Sequence, residues 1–183
     1  MSSSIFSQDL YMRAWHFAAR RHSGMTVPGS DLPYITHVGA VAMEVIGALM
    51  EEDVTDPDLA VACALLHDTV EDTDTTLEDI AAEFGQKIAN GVEALTKNKL
   101  LPKDRRMRDS LRRIGENPPE VWIVKLADRT VNMEPPPSHW TGEKRRAYQV
   151  EAREILETLG SASASLSNRL REKIARYDSY LGS

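Results

Sequence analysis

Asp58-Leu-Ala-Val-Ala-Cys-Ala-Leu-Leu-His67-Asp-Thr-Val-Glu-Asp72 begins with an apolar run of eight residues, Leu59 to Leu66, and closes with four ionisable residues in six positions. The run reads as a buried helix from Asp58 to about Val70, apolar all round. Helical spacing lays Glu71 over His67 and Asp72 over Asp68, so four ionisable groups share one end of a buried element. Polar residues at a solvated helix terminus would look the same for a bare His-Asp pair. Two adjacent carboxylates beside one imidazole, with no Lys or Arg nearby in sequence, favour a divalent cation that relieves their repulsion.

Working outward, the acidity extends well past this segment. Residues 44 to 83 hold thirteen acids and no Lys or Arg, whereas the rest of the chain carries 22 basic groups against 15 acidic ones. The whole chain has 183 residues and net charge −6, with 42% hydrophobic and 27% charged residues, enough for a single domain spanning 1–183 with a sizeable core. A net acidic chain argues against a protein that grips nucleic acid by neutralising many phosphates, and against an anionic membrane surface as partner. The run Leu59 to Leu66 is far short of the ~20 residues that cross a bilayer. Met1-Ser-Ser-Ser-Ile-Phe-Ser-Gln-Asp9 has neither the basic nor the apolar region of an export signal. The lone Cys63 sits inside the apolar run and reads as a buried, inert thiol, so the expected compartment is reducing cytoplasm.

Helix period dominates on both sides. Residues 8 to 22 set Leu10, Ala14, Phe17 and Ala18 on one face, and residues 36 to 50 do the same for Val38, Val41, Ala42, Val45, Ile46 and Leu49. Between them, Ser23 to Pro33 is a loop by its Gly and Pro content. A further helix is expected from Thr75, where Thr75-Thr-Leu-Glu78 offers a capping box, with Gly85 as its stop and a helical continuation over 86 to 96. Residues 103 to 113 carry Lys103, Arg105, Arg106, Arg108, Arg112 and Arg113; Pro118-Pro119 then starts a helix that ends before Pro135. Val121 to Val124 fits a buried strand by period, but its continuation into Lys125-Leu-Ala-Asp-Arg129 favours helix. Helices at about 142 to 159 and 166 to 181 complete an all-α reading without repeats.

A metal beside His67 and Asp68 needs ligands from elsewhere, and His37 and Asp128 are the candidates. Singly, His37 also fits a capping or core histidine, and Asp128 an ion-pair partner of Arg129. Together the four give two imidazoles and two carboxylates, a set that suits Mn²⁺, Fe²⁺ or Zn²⁺ better than Ca²⁺. Such a centre lowers the pKa of water and polarises a phosphoryl group, leaving Glu71 and Asp72 to position and deprotonate the nucleophile.

The order His37, His67-Asp68, Asp128 resembles the HD metal-dependent phosphohydrolase superfamily. Pro33-Tyr-Ile-Thr-His37, Ala64-Leu-Leu-His-Asp-Thr-Val-Glu-Asp-Thr73, Phe84-Gly85, Leu95-Thr-Lys97 and Lys125-Leu-Ala-Asp-Arg-Thr-Val-Asn-Met133 are similar to the hydrolase domain of RelA/SpoT alarmone enzymes, over roughly residues 8 to 160. The resemblance implies an HD-domain helical bundle acting as a stand-alone small alarmone hydrolase. Its reaction would be removal of pyrophosphate from the ribose 3′ position of guanosine tetra- or pentaphosphate by metal-activated water, with Mn²⁺ as the metal. His37, His67, Asp68 and Asp128 would be the ligands, Glu71 and Asp72 the catalytic carboxylates. Asn132 matches the position that contacts the nucleotide. Trp140 to Tyr148 is similar to a substrate-binding segment of the animal small hydrolases, which would put Lys144 and Tyr148 near the phosphates.

The chain departs from this pattern at Met25-Thr26-Val27, with no Lys or Arg from Ser23 to Thr36, where the family carries basic residues against the purine, and at Pro135-Pro-Pro137. The departure keeps other substrates open: an adenosine 3′-diphosphate alarmone or the 2′-phosphate of NADPH. From another class, a non-catalytic nucleotide-binding regulator is opposed by the intact Glu71 and Asp72. The basic helix at 103 to 113 lacks aromatic residues for base stacking. It reads as a solvated face or as a source of long-range attraction for a polyanionic nucleotide, a role Lys97 could share at shorter range. A homodimer stays open.

Overall fold

The computed structural model describes residues 5–181; part of the stretch read for an export signal, and both ends of the expected 1–183 domain, lie outside them. Among the described residues the chain forms ten α-helices and no strand beyond an isolated bridge between Thr26 and Pro33. The helices are α1 (Gln8–Arg21), α2 (Ile35–Glu51), α3 (Pro57–Leu66), α4 (Thr69–Asp72), α5 (Leu77–Phe84), α6 (Gln86–Leu95), α7 (Lys103–Gly115), α8 (Pro119–Asn132), α9 (Gly142–Leu159) and α10 (Ala164–Tyr177). None is long and apolar enough to cross a membrane.

The apolar run places α3 at the centre. Every residue from Leu59 to Leu66 is buried, and the helix packs against α1, α2, α6 and α8. Burying Leu59, Leu65 and Leu66 contributes about 1.5–3 kcal/mol each. Asp56 caps its first turn by accepting from the Leu59 amide at 3.0 Å, and Pro57 occupies the position where a missing N–H costs nothing. Cys63 is fully buried where α3 meets α6, and burial, with the Asp56 charge, pushes its thiol up to about 12. Gly91 on α6 permits this approach, since a Cβ there would come within 2.6 Å of the Cys63 sulfur.

Three helix boundaries differ from the sequence expectation. The third helix does not run to Val70 but stops at Leu66, because side chains take its last carbonyls: His67 Nδ1 donates to Ala64 O at 2.8 Å and Thr69 Oγ1 to Leu66 O at 2.7 Å. His67 and Asp68 therefore stand in a turn before α4. The capping box falls one residue later than Thr75-Thr-Leu-Glu78, with Thr76 and Asp79 as the reciprocal pair, because the Thr75 hydroxyl is bonded to that of Thr73. The last helix starts at Ala164 with Ser163 as its cap and gives way after Tyr177 to a 3₁₀ turn, Asp178–Tyr180.

Part of the acidic block is structural. Glu44 on α2 pairs with the Arg169 guanidinium, and Glu52 accepts from the Ser165 amide at 2.6 Å, which clamps α10 against α2. Two cations of α7 also serve the fold. Arg106 donates to the carbonyls of Lys99 and Leu101, and Arg113 to those of Ala94 and Thr96, anchoring the loop between α6 and α7; Lys103, Arg105 and Arg108 face outward.

Candidate active site

Three elements bring the sequence candidates together: the first turn of α2 supplies His37, the turn between α3 and α4 supplies His67 and Asp68, and the last half of α8 supplies Asp128. Nitrogen or oxygen atoms of His37, His67 and Asp128 lie within 4.8 Å of one another, and all three residues are buried. Asp68 joins them from the side, its Oδ2 2.8 Å from His67 Nε2 and 3.5 Å from His37 Nε2. Asp128 Oδ1 stands 3.6 Å from His37 Nε2 and 3.9 Å from His67 Nε2.

This donor set fits a divalent cation. The bond from His67 Nδ1 to Ala64 O leaves Nε2 as the nitrogen that faces the carboxylates, where a cation would take the place of its proton. Nε2 is buried and, although close to Asp68, has no partner in hydrogen-bonding geometry, an orphaned atom that a cation would satisfy. Burial opposes protonation of His67, but Asp68, Asp128 and the Ala64 carbonyl raise it to about 9, so the pocket attracts positive charge. Burial also works against ionised Asp68 and Asp128. Around Asp68 the two histidines prevail and hold it well below the usual carboxylate range; for Asp128, Lys125 and the histidines do so.

Asp128 is not the partner of Arg129. Its Oδ2 is held by Lys125 Nζ at 2.8 Å and its Oδ1 accepts from Asn132 Nδ2 at 2.5 Å, because residues three and four apart share a helix face whereas adjacent ones diverge. Arg129 turns the other way, onto Glu151 at 3.3 Å and over the Tyr148 ring at 4.2 Å.

Glu71 and Asp72 reach the same cleft of about 200 Å³. Along the sequence the carboxylates had no basic neighbour; in space they do. The loop after α6 delivers Lys97, whose amide donates to Glu71 Oε2 at 2.9 Å and whose ammonium meets Oε1 at 3.3 Å, while Lys99 Nζ donates to the Glu71 carbonyl. Burial, with the negative charges of Asp68 and Glu71, raises Asp72 above the usual carboxylate value, against the Tyr34 hydrogen bond and Lys99. A carboxylate so raised is a stronger base for water.

Among the other candidates, Asn132, Tyr148 and Lys97 line the cleft. The structure does not bring Lys144 to the lining: its ammonium lies over the Trp140 ring at 4.0 Å on the exposed face of α9. Tyr34, Lys125, Arg129 and Glu151 also line the cleft and were given no place there by the sequence reading. Lys125 was legible as the i−3 neighbour of Asp128. Glu151 carried no local signal, and Tyr34 none beyond its place in Pro33-Tyr-Ile-Thr-His37, since each contact crosses between elements.

The profile of the HD domain family matches residues 14–164. The chain belongs to the HD-domain family. Membership implies a divalent metal, and in this HD domain His37, His67 and Asp128 are available to hold one. The chain is 32% identical over 171 residues to the guanosine-3′,5′-bis(diphosphate) 3′-pyrophosphohydrolase MESH1 of Danio rerio, covering 91% of this HD domain and 93% of the relative. The enzyme of the same name from Homo sapiens is 33% identical over 165 residues, covering 87% and 90%. A solved metazoan ortholog of SpoT that hydrolyses ppGpp superposes with a TM-score of 0.81 at 29% identity, over 93% of this chain and 96% of that one.

Proposed function

We propose that this HD domain is a metal-dependent 3′-pyrophosphohydrolase of guanosine tetra- and pentaphosphate, releasing pyrophosphate and leaving GDP or GTP. The observation that carries the reading is the arrangement of one cleft: a buried imidazole and carboxylate set, two further carboxylates at its edge, and Lys97, Lys125 and Arg129 around it. MESH1, related along nearly its whole length, supports the same substrate.

His37, His67, Asp68 and Asp128 hold the cation, for which Mn²⁺ is the proposed identity. When bound, it lowers the pKa of water and neutralises charge on the phosphoryl oxygens. Asp72, raised by its surroundings, accepts the proton of the attacking water, and Glu71, fixed by Lys97, orients that water. Water adds to the phosphorus attached to the ribose 3′ oxygen, that P–O bond breaks, and the 3′ oxygen is protonated as pyrophosphate departs. Asn132 and Tyr148 contact the nucleotide, with Lys97 beside its phosphates. The lone, buried thiol of Cys63 supports a reducing cytoplasmic setting.

Incubation of the purified protein with Mn²⁺ and guanosine tetraphosphate tests the reading, with pyrophosphate release as the readout. Release by wild type and its loss in His67→Ala are expected; no release, or unchanged release in the variant, overturns the mechanism. The absence of Lys and Arg from Ser23 to Thr36 favours a second substrate reading, adenosine 3′-diphosphate nucleotides or the 2′-phosphate of NADPH. Side-by-side rates on the guanosine and adenosine substrates decide between them.

A further inference from the structure

Tyr34 is the residue immediately before α2, and its hydroxyl points into the cleft between two carboxylates of different assignment. It lies 2.6 Å from Asp68 Oδ2 and 3.3 Å from Asp72 Oδ2. A phenol has one proton to donate, so it serves one carboxylate at a time. The shorter contact, a charge-assisted bond, goes to Asp68. The ring is held on both sides: the His22 ring packs against it at 4.7 Å and the His37 ring at 5.4 Å. His22 is 3% exposed and neither ring nitrogen has a hydrogen-bond partner, so it backs the phenol as a flat wall and leaves the hydroxyl no competing bond. The backbone is fixed as well, since the Tyr34 amide donates to Met25 O at 2.9 Å.

We propose that Tyr34 is a positioning residue that couples the metal site to the water-activating carboxylate. Its hydroxyl holds Asp68 Oδ2 in place beside the two histidines, before and after a cation is bound, and it bridges that oxygen to Asp72 Oδ2, 3.3 Å away. The coupling rests on the ligand and carboxylate roles proposed above. It follows from the geometry of a single donor shared by two acceptors. Groups that orient a ligating carboxylate typically change metal affinity 10–100-fold when removed.

Tyr34→Phe removes only the oxygen and keeps the ring between His22 and His37. Three measurements on wild type and variant test the proposal: Mn²⁺ titration by calorimetry without substrate, the ultraviolet tyrosine difference spectrum on adding Mn²⁺, and kcat and KM for guanosine tetraphosphate at saturating Mn²⁺. The variant is expected to bind Mn²⁺ roughly 10–100-fold more weakly, to lose a difference signal that wild type shows, and to lose on the order of tenfold in kcat with KM within about twofold. Unchanged Mn²⁺ affinity and kcat in Tyr34→Phe overturn the coupling alone, leaving the functional reading intact. Wild type that neither binds Mn²⁺ nor releases pyrophosphate overturns both. A wild-type difference spectrum that persists in the variant overturns the coupling even if the variant folds poorly, because the signal then belongs to another tyrosine.

Discussion

Lys125 Nζ lies 2.8 Å from Asp128 Oδ2, and both side chains are almost wholly buried. One turn of α8 thus carries a candidate ligand together with its counter-charge, and the pairing turns the other carboxylate oxygen toward His37 and His67. Removing one partner of a buried pair leaves a charge without compensation, which costs about 3–5 kcal/mol. Lys125→Met is expected to lose stability of this order in urea denaturation without metal. Part of the loss should return on adding Mn²⁺, whose charge substitutes for the ammonium. Equal recovery with Mg²⁺ at the same concentration would argue for general screening instead.

Metal binding should stabilise the fold through the same residues. A ligand held only by the native state adds roughly 2.7 kcal/mol at a hundredfold excess over its Kd. Thermal melts of wild type should therefore rise on Mn²⁺ addition and fall back with chelator. His67→Ala, which removes the orphaned nitrogen, should show neither shift. A melt indifferent to Mn²⁺ in wild type would refute the proposed ligand set.

The pH dependence of stability has a component outside the cleft, at Asp56. Burial disfavours its charge, but bonds from Lys87 and the Leu59 amide outweigh burial and lower its pKa from the ordinary 3.8. A carboxyl depressed on folding stabilises fully above its unfolded value, and that contribution is lost as pH falls through the lower folded value. Asp56→Ala should cost about 1 kcal/mol near neutrality as a lost helix cap. The gap between wild type and variant should narrow below about pH 4. Denaturation midpoints at pH 7 and in acid measure both; a gap that widens in acid would contradict the assignment.

Gly91 separates two packing effects. Alanine gains up to about 1 kcal/mol of helix propensity over glycine, but its methyl would sit 2.6 Å from the Cys63 sulfur and 3.2 Å from Val121. Overpacking of this kind costs about 1–3 kcal/mol, so Gly91→Ala should be net destabilising in chemical denaturation. Adding Cys63→Ala removes the nearest clash and should recover most of the loss. Additive losses in the double variant would place the strain elsewhere.

Much of the helical layout was legible because period and punctuation are local. The faces that hold Ala14 and Val38 are buried at their centres as their spacing demands, with Leu10 and Ile46 half-buried, and Pro119 and Gly85 mark ends that short-range chemistry dictates. The break after Leu66 was hidden, since apolar spacing carries no record of side chains that take backbone carbonyls. Lys97 and Lys99 were invisible as partners of Glu71 because 26 and 28 residues separate them, and only the fold of the α6–α7 loop closes that gap. Lys144 illustrates the converse: motif likeness put it by the phosphates, while a cation over an aromatic face holds it at Trp140.

The amino-acid sequence by itself determined an all-α chain and the kinds of donor at its chemistry, imidazoles and carboxylates, with His67, Asp68, Glu71 and Asp72 in an acidic segment without cations and His37 and Asp128 outside it. Periodicity and side-chain type are properties of each helix alone. Only the tertiary structure decided which charges meet. It gave Arg129 to Glu151, set Lys97 against Glu71, and stood the Tyr34 hydroxyl between Asp68 and Asp72. Charge pairing depends on distances of a few ångströms between separate elements, and those distances come into being only when the helices pack.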